Sequence, residues 1–204
     1  MKSIIITFIL LIFPVFCFSQ RIYIDEMKSD SIRYMESECI YYRKFTDTHI
    51  WNYGIQSYTN INTNQTKFLL IININTSYKL HFKDDAKMLI KTFNNEILEL
   101  TNMLSYFDKT TLGYTYRNPL IGNIGTIHEN IIAKNIAIFY ITEDDLIKLK
   151  NGIAKVRVEL KNSNYLDYTY KKDKIGEKLY TSYINIKQTL SSSSNNDSQL
   201  YNNF

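Results

Sequence analysis

The chain has 204 residues, of which 45% are hydrophobic and 14% aromatic, and its formal net charge is +4 at pH 7. This length is sufficient for one domain with a substantial hydrophobic core. The weak charge indicates neither a nucleic-acid-binding protein nor attachment to a membrane surface, because both require a marked excess of Lys and Arg.

The first 19 residues, 1–19, have the pattern of a secretory signal peptide. A lysine precedes the apolar run 4–16, which is shorter than the roughly 20 residues that cross a bilayer. Cleavage after Ser19 satisfies the preference for small residues near the cut. Phe16 directly before Cys17 disfavours lipid attachment at that cysteine. We therefore expect an exported protein, periplasmic or secreted, with no transmembrane span after cleavage.

Residues 20–190 are predicted to form a single β-rich domain. The stretches RIYIDEM, CIYYRKF and WNYGIQSY are predicted strands, and neighbouring Tyr41 and Tyr42 must then face opposite sides of the sheet. The continuous apolar run Phe68–Ile72 indicates a central strand that is buried on both faces. Free cysteine is usually buried, so Cys39 is expected in the core.

Two segments in the middle of the chain allow more than one structure. Residues 87–100 fit a helix, but a hairpin that turns at Asn94-Asn95 is favoured, because Asn tolerates the positive φ of tight turns. Residues 105–130 contain three of the six glycines. They are predicted to form a long excursion with a short strand at Gly113–Arg117, followed by the buried strand AKNIAIFYI.

The last third contains the clearest helix signals. Thr142 is expected to cap a short helix that ends at Gly152, and the next stretch, IAKVRVEL, alternates as a strand does. A KNSN turn and the strand YLDYTY follow. A final amphipathic helix, with Asp173 as its cap, has an apolar stripe formed by Ile175, Leu179, Tyr183, Ile186 and Leu190. Residues 191–204 are predicted to be a flexible polar tail.

These elements predict an α+β fold. It consists mainly of an antiparallel β-sheet or open sandwich, with one short helix and a C-terminal amphipathic helix. The run YITEDDLIKLKNGIAKVRVE, the later YKKDKIGEKLY and a leader that ends in Ser-Gln together resemble uncharacterised exported proteins of AT-rich Gram-negative anaerobes. The resemblance implies export and no defined activity.

The sequence contains none of the motifs that identify catalytic or metal sites. One cysteine remains after cleavage, HEN at His128 lacks the second histidine of a metalloprotease helix, and Asp84-Asp85 is typical of a turn. We therefore expect no catalytic residue, no metal and no cofactor. The alternative is an enzyme whose site is assembled in the 105–130 excursion from His128, Glu129 and Arg117.

Aromatic side chains are the remaining candidates for a site. Exposed Tyr and Trp stack on sugars and anchor protein interfaces, so the candidate binding residues are Trp51, Tyr53, Tyr165 and Tyr168. The expected function is a non-catalytic exported module that binds a protein or a glycan, with no nucleic-acid partner. A further alternative is a subunit of an exported assembly that docks through an edge strand or the C-terminal tail.

Overall fold

The structure is a computed structural model that describes residues 21–42, 49–115, 127–172 and 175–202. The predicted signal peptide and the residues Arg117 and Asp173 lie outside the described residues. The elements in chain order are β1 (Ile22–Ser29), β2 (Ile32–Ser37), β3 (Ile40–Tyr42), β4 (Ile50–Asn60), β5 (Gln65–Thr76), β6 (Lys87–Thr92), β7 (Ile97–Thr115), β8 (Ile127–Ile141), α1 (Glu143–Lys148), β9 (Ile153–Glu159), β10 (Tyr165–Thr169) and α2 (Gly176–Asn202).

The strands form one antiparallel sheet with the order β1-β2-β4-β5-β8-β7-β6-β9-β10. The short strand β3 also pairs with β4, beyond the end of β2, so that β2 and β3 together act as one interrupted strand. The predicted mainly antiparallel sheet, short helix and C-terminal helix are confirmed. Strand β5 is central, and Phe68, Leu69, Leu70 and Ile72 are buried as predicted, whereas Ile71 of the same run is only half-buried.

The interruption between β2 and β3 explains where Cys39 lies. At this break the backbone N–H of Ile55 donates to the Ser37 hydroxyl oxygen at 2.9 Å, in place of a backbone carbonyl. Glu38 and Cys39, between the two strands, pair with no residue of β4, and Cys39 is exposed. The prediction that Cys39 belongs to the core is therefore wrong, because the residue sits in the break and not within a strand.

Strand β7 forms the corner of the sheet. Its first residues pair with β6, its later residues pair with β8, and the register shifts between Asn102 and Leu104. The sheet curls so far that β10 reaches β4, although the two strands are far apart in the strand order. The Trp51 and Tyr168 rings are 5.8 Å apart, and the hydroxyls of Tyr53 and Tyr170 form a 2.6 Å hydrogen bond.

Asparagines at positive φ close several of the hairpins. Asn64 has a φ of 54° in the β4–β5 turn, and Asn95 has a φ of 70° in the β6–β7 turn. The predicted hairpin over residues 87–100 is confirmed, since β6 and β7 pair on either side of this turn. Asn is one of the few side chains that adopt this backbone region at low cost.

The segment 105–130 differs from its prediction as a loop. Strand β7 continues to Thr115 and β8 begins at Ile127, and the two remain paired, with Gly113 opposite Glu129. Thr and Tyr residues favour strands, and the long-range pairing outweighs the local glycine signal. The backbone of His128 and Glu129 therefore belongs to a strand and not to an excursion.

Both helices occur where the sequence predicts them. The Thr142 hydroxyl accepts the Asp145 N–H at 3.1 Å at the start of α1, and Gly152 ends the following 3₁₀ turn with a φ of 76°. The apolar stripe of α2 packs on the core, with the Tyr183 ring 5.3 Å from Phe68 of β5. A Cβ on Gly176 would lie 2.5 Å from the Leu149 carbonyl oxygen, so only glycine permits this approach.

Helix α2 continues through most of the segment predicted as a flexible tail. Its backbone is helical as far as Asn202. Serine hydroxyls in this region donate hydrogen bonds to backbone carbonyl oxygens of the preceding turn, as Ser191 does to the Lys187 carbonyl at 2.9 Å. The segment 191–204 has few apolar residues, but its helical part continues a helix whose first half is packed on the core.

Candidate functional site

The four aromatic residues predicted to bind a ligand do not form one surface. Trp51 and Tyr53 are only 1% exposed, because the odd-numbered residues of β4 face the core. Tyr168 is also buried, where it packs against Trp51. Tyr165 alone is exposed, at 56%. Three of the four aromatic candidates are therefore core residues and not part of a binding surface.

Tyr165 lies among charged groups at the edge of the sheet. The Arg157 guanidinium is 5.2 Å from the centre of its ring. The same guanidinium donates two hydrogen bonds to the Asp167 carboxylate, at 2.6 and 2.7 Å, and Lys155 also pairs with this carboxylate. These donors hold the pKa of Asp167 well below its usual range. The ring is thus part of a solvated ion-pair network.

The opposite side of the sheet has a different character. We call the surface of β3, β4, β5, β8 and β7 that faces away from the core the outer face. Strand pairing places one residue from each of these strands in a line across it, which we call the asparagine row: Tyr41, Asn52, Asn73, Ile136 and Tyr106. Tyr41 is 74% exposed and Tyr106 is 50% exposed. The predicted opposite orientation of Tyr41 and Tyr42 is confirmed, since Tyr42 packs on the core.

The lines on either side of the asparagine row differ in polarity. One neighbouring line is apolar or lacks a side chain, and its members are Gly54, Ile71, Ile138 and Leu104. The other is mainly polar and comprises Ile50, Asn75, Lys134 and Asp108. In this polar line Lys134 and Asp108 are direct cross-strand partners of opposite charge. The outer face therefore combines amides, an apolar strip and two exposed tyrosine rings.

The amide of Asn52 is the most unusual group on the outer face. Asn52 is 2% exposed, yet neither its Nδ2 nor its Oδ1 has a hydrogen-bond partner. The buried Oδ1 atoms of Asn73 and Asn75 also lack partners. A buried polar group without a partner costs about 1–3 kcal/mol. Four polar atoms on one small area of the sheet therefore have unused hydrogen-bonding capacity.

Asn135, on the core side of β8, shows how a structural buried asparagine is arranged. Its Oδ1 accepts the backbone N–H of Leu80 at 2.6 Å. Its Nδ2 donates to nearby oxygens that include the carbonyl of Ile74 and the hydroxyl of Thr76, both at 3.0 Å. Both ends of this amide are satisfied and join the chain after β5 to β8. Asn52 has no such connecting role.

Tyr106, at one end of the asparagine row, is half-exposed and has a perturbed pKa. Burial raises the pKa of Tyr106, and the carboxylates of Glu36 and Asp108 raise it further. Glu36 lies on β2, four strand steps from Tyr106 on β7, or about 19 Å across a flat sheet. The Glu36 carboxylate itself accepts hydrogen bonds from the Tyr34 hydroxyl and, at 3.0 Å, from Gln56.

A concave region of the surface is a groove of about 640 Å³ between α2 and the β4–β5 hairpin. Its charged residues are already paired. Arg33 donates to the Asp25 carboxylate at 2.8 and 2.7 Å, and Lys187 donates to Glu143 at 2.5 Å. The Lys187 hydrogen bond lowers the pKa of Glu143, and the Tyr183 hydroxyl contributes as a second donor. The Lys187–Glu143 pair joins α2 to α1, and the Arg33–Asp25 pair joins β2 to β1.

In the part of the chain that the structure describes, no group of three or more His, Cys, Asp or Glu residues could hold a metal ion. The helices within the same ranges include none that is both long and apolar enough to cross a bilayer. No protein-family model matches the sequence, and comparisons with curated proteins and with solved structures gave no significant match.

The asparagine row was not predicted from the sequence, although two stretches contain a signal for it. In WNYGIQSY and in IININ, polar or glycine residues occupy every second position between apolar residues. Such alternation predicts that Asn52, Asn73 and Asn75 share a face. Which of them lie opposite each other depends on the register of β4 and β5, and the sequence does not contain that information in readable form.

Proposed function

We propose that this protein is an exported, non-catalytic module that binds a glycan across the outer face of its sheet, in the periplasm or at the cell surface. The observation that carries the proposal is the buried amide of Asn52, whose donor and acceptor are both unpartnered. The curled strands beneath it, which we propose form the two layers of an open sandwich, provide a rigid support.

The chemistry of the asparagine row suits a sugar chain. Each asparagine amide offers two N–H donors and a carbonyl acceptor, which complement hydroxyl groups that both donate and accept. Tyr41 and Tyr106 lie at the two ends of the row, about 19 Å apart in the direction across the strands. Exposed rings at this separation favour an oligosaccharide over a single sugar, because stacking at both ends requires a ligand that spans the row.

The charges of the outer face favour a neutral ligand. Glu36 is engaged by Tyr34 and Gln56, and Lys134 faces Asp108 across the ladder. The described residues around the asparagine row therefore form no cluster of Lys and Arg that would attract a polyanion such as a nucleic acid or an acidic polysaccharide. Recognition through neutral hydrogen bonds is selective, because a ligand that leaves buried amides unpaired binds much more weakly.

Isothermal titration calorimetry with neutral tetrasaccharides tests the proposal. Cellotetraose, maltotetraose and chitotetraose are titrated into the wild-type protein, and we expect at least one to bind. Asn52→Val should weaken that binding at least tenfold, since the amide donor and acceptor are lost together. Gln65→Val is the matched control, because it removes an exposed amide from the same β-hairpin, away from the asparagine row.

The readouts distinguish a binding role from a folding role. Thermal unfolding of each variant establishes that it is folded, and Tyr165→Ala shows whether the charged edge takes part. Binding of no tetrasaccharide at millimolar concentration would contradict the proposal. So would equal affinities of the wild-type protein and Asn52→Val for every sugar that binds.

A further inference from the structure

The end of the sheet at the β6–β7 turn carries exposed apolar side chains. Ile97 is 66% exposed and Phe93 is 44% exposed. They flank Asn94 and Asn95, which are also exposed. The backbone N–H of Phe93 donates to the Gly152 carbonyl at 3.2 Å, so the turn is held against the residue that precedes β9. Contact of the two apolar side chains with water is unfavourable, and an apolar partner would relieve it.

Strand pairing places lysines beside these apolar side chains. Lys91 of β6 lies between Ile97 of β7 and Lys155 of β9, on the side of the sheet that faces solvent. Because Tyr170 is buried at the end of β10, the alternation of side chains directs the exposed Lys171 to the same side. We call this group the tip patch, and its members are Lys91, Phe93, Ile97, Lys155 and Lys171.

The two ends of β6 differ in how their lysines are balanced. At the far end, Lys87 pairs with the Glu99 carboxylate at 3.2 Å. At the tip patch, Lys91 faces Lys155 directly across the ladder, and like charges in this position are destabilising. Lys91 forms no ion pair with any residue that the structure describes. Such a local cost is expected where a negatively charged partner offsets it.

Carboxylates beside the tip patch are already engaged. The Asp167 carboxylate accepts two hydrogen bonds from the Arg157 guanidinium and lies 2.7 Å from the Lys155 ammonium. The Glu96 carboxylate accepts hydrogen bonds from two asparagine amides. These groups do not neutralise Lys91, which remains available to an external anion.

We propose that the tip patch docks the protein on a membrane surface that contains anionic phospholipids. Ile97 and Phe93 enter the boundary between headgroups and acyl chains, and the lysine ammonium groups contact the lipid phosphates. A soluble polyanion would use the lysines but leave both apolar side chains in water, so the combination favours a lipid surface. Attraction at physiological salt acts over roughly 8 Å, so the local excess of lysine matters more than the low net charge of the chain.

Cosedimentation with vesicles tests the proposal. The protein is mixed with vesicles of phosphatidylcholine, alone or with an equal part of phosphatidylglycerol. We expect binding to the anionic vesicles that weakens as salt is raised from about 0.1 M to about 0.5 M. Lys91→Gln should weaken binding about fivefold, since one lysine near an anionic surface contributes about that factor. Ile97→Asn should weaken it at least about fivefold, because the side chain that enters the boundary region is lost.

Matched controls come from the opposite part of the sheet. Ile61→Asn removes an isoleucine that is 44% exposed in the β4–β5 turn, and Lys67→Gln removes an exposed lysine of β5. Neither should change vesicle binding. Thermal unfolding establishes that each variant is folded. Wild type and variants share the same N-terminus, so differences between them report the exchanged side chain.

The possible outcomes distinguish a lipid surface from other partners. Equal binding to both kinds of vesicle, or binding to neither, would overturn the proposal, as would equal losses in Ile97→Asn and Ile61→Asn. Dextran sulfate serves as a soluble polyanion. If it binds more tightly than the anionic vesicles and Ile97→Asn binds it as well as wild type does, the tip patch recognises a polyanion and the lipid assignment fails. Tetrasaccharide binding is measured separately, so failure here leaves the glycan proposal standing.

Discussion

Replacement of Asn52 by valine should stabilise the protein. Valine is close to asparagine in size, favours strands and has no polar atom to leave unpaired. Asn52 is 2% exposed with both amide atoms unpartnered, and the cost of a buried unpaired polar group is about 1–3 kcal/mol. We expect Asn52→Val to raise the free energy of unfolding by about this amount. A domain of this size gains about 2–4 °C in Tm for each kcal/mol.

Urea unfolding followed by fluorescence measures the change directly. Trp51 is the only tryptophan of the chain and is buried against Tyr168, so its emission reports loss of the core. Circular dichroism provides an independent probe, since Asn52 adjoins Trp51 in the strand. Agreement between the two transitions supports two-state unfolding and validates the comparison of free energies.

Asn135→Val is the matched comparison with the opposite expected sign. It removes the acceptor for the Leu80 N–H and the donor to the Ile74 carbonyl, and it leaves both backbone groups buried. We expect a loss of about 1–3 kcal/mol or more. If Asn52→Val lowers stability in the same way, the Asn52 amide has a stabilising partner, and the inference from its unpaired atoms is refuted.

Three further predictions concern single residues. Gly54→Ala should raise the free energy of unfolding by about 0.5–1 kcal/mol in urea melts, because glycine is unfavourable within a strand. Partial burial raises the pKa of the Cys39 thiol, and the carboxylates of Glu36 and Glu38 raise it further. Alkylation of Cys39 by iodoacetamide at pH 8, followed through the mass of its peptide, should therefore be slower in the folded protein than in the urea-unfolded chain. Asp167→Asn should cost about 0.5–1 kcal/mol at pH 7. Because the pKa of Asp167 is lowered in the folded state, its contribution to stability is fully present above the unfolded pKa of about 3.9 and is lost as the pH falls below that value. The free energies of unfolding of the wild-type protein and Asp167→Asn should therefore converge in acid.

Local chemistry explains why most of the fold was predictable. The hairpin over residues 87–100 depends on an asparagine that adopts positive φ, and this preference belongs to the residue itself. The short helix α1 depends on Thr142 and on acidic residues in its first turn, which act within a few positions. Signals of this kind need no knowledge of distant contacts, and they are confirmed.

The wrong predictions involve interactions between distant residues. Strands β7 and β8 pair through the described parts of 105–130, with Gly113 opposite Glu129, and this pairing outweighs the local glycine signal. Cys39 falls in a break between β2 and β3 that exists only because both pair with β4. The predicted exposure of Trp51 and Tyr53 neglected their position in the alternation of β4, which turns both towards the core.

The composition of β5 bears on why the amides are present at all. Ile72 and Ile74 alternate with Asn73 and Asn75, and the neighbouring outer-face position, Ile71, is apolar. A strand whose only task is to pack could have isoleucine at 73 and 75 as well, and the unpartnered oxygens would disappear. A destabilising group in an otherwise well-packed sheet is expected where function requires it. Asn135 shows that this chain satisfies a buried amide completely when the amide serves the fold, so the unpartnered asparagines of the outer face support the proposed binding site.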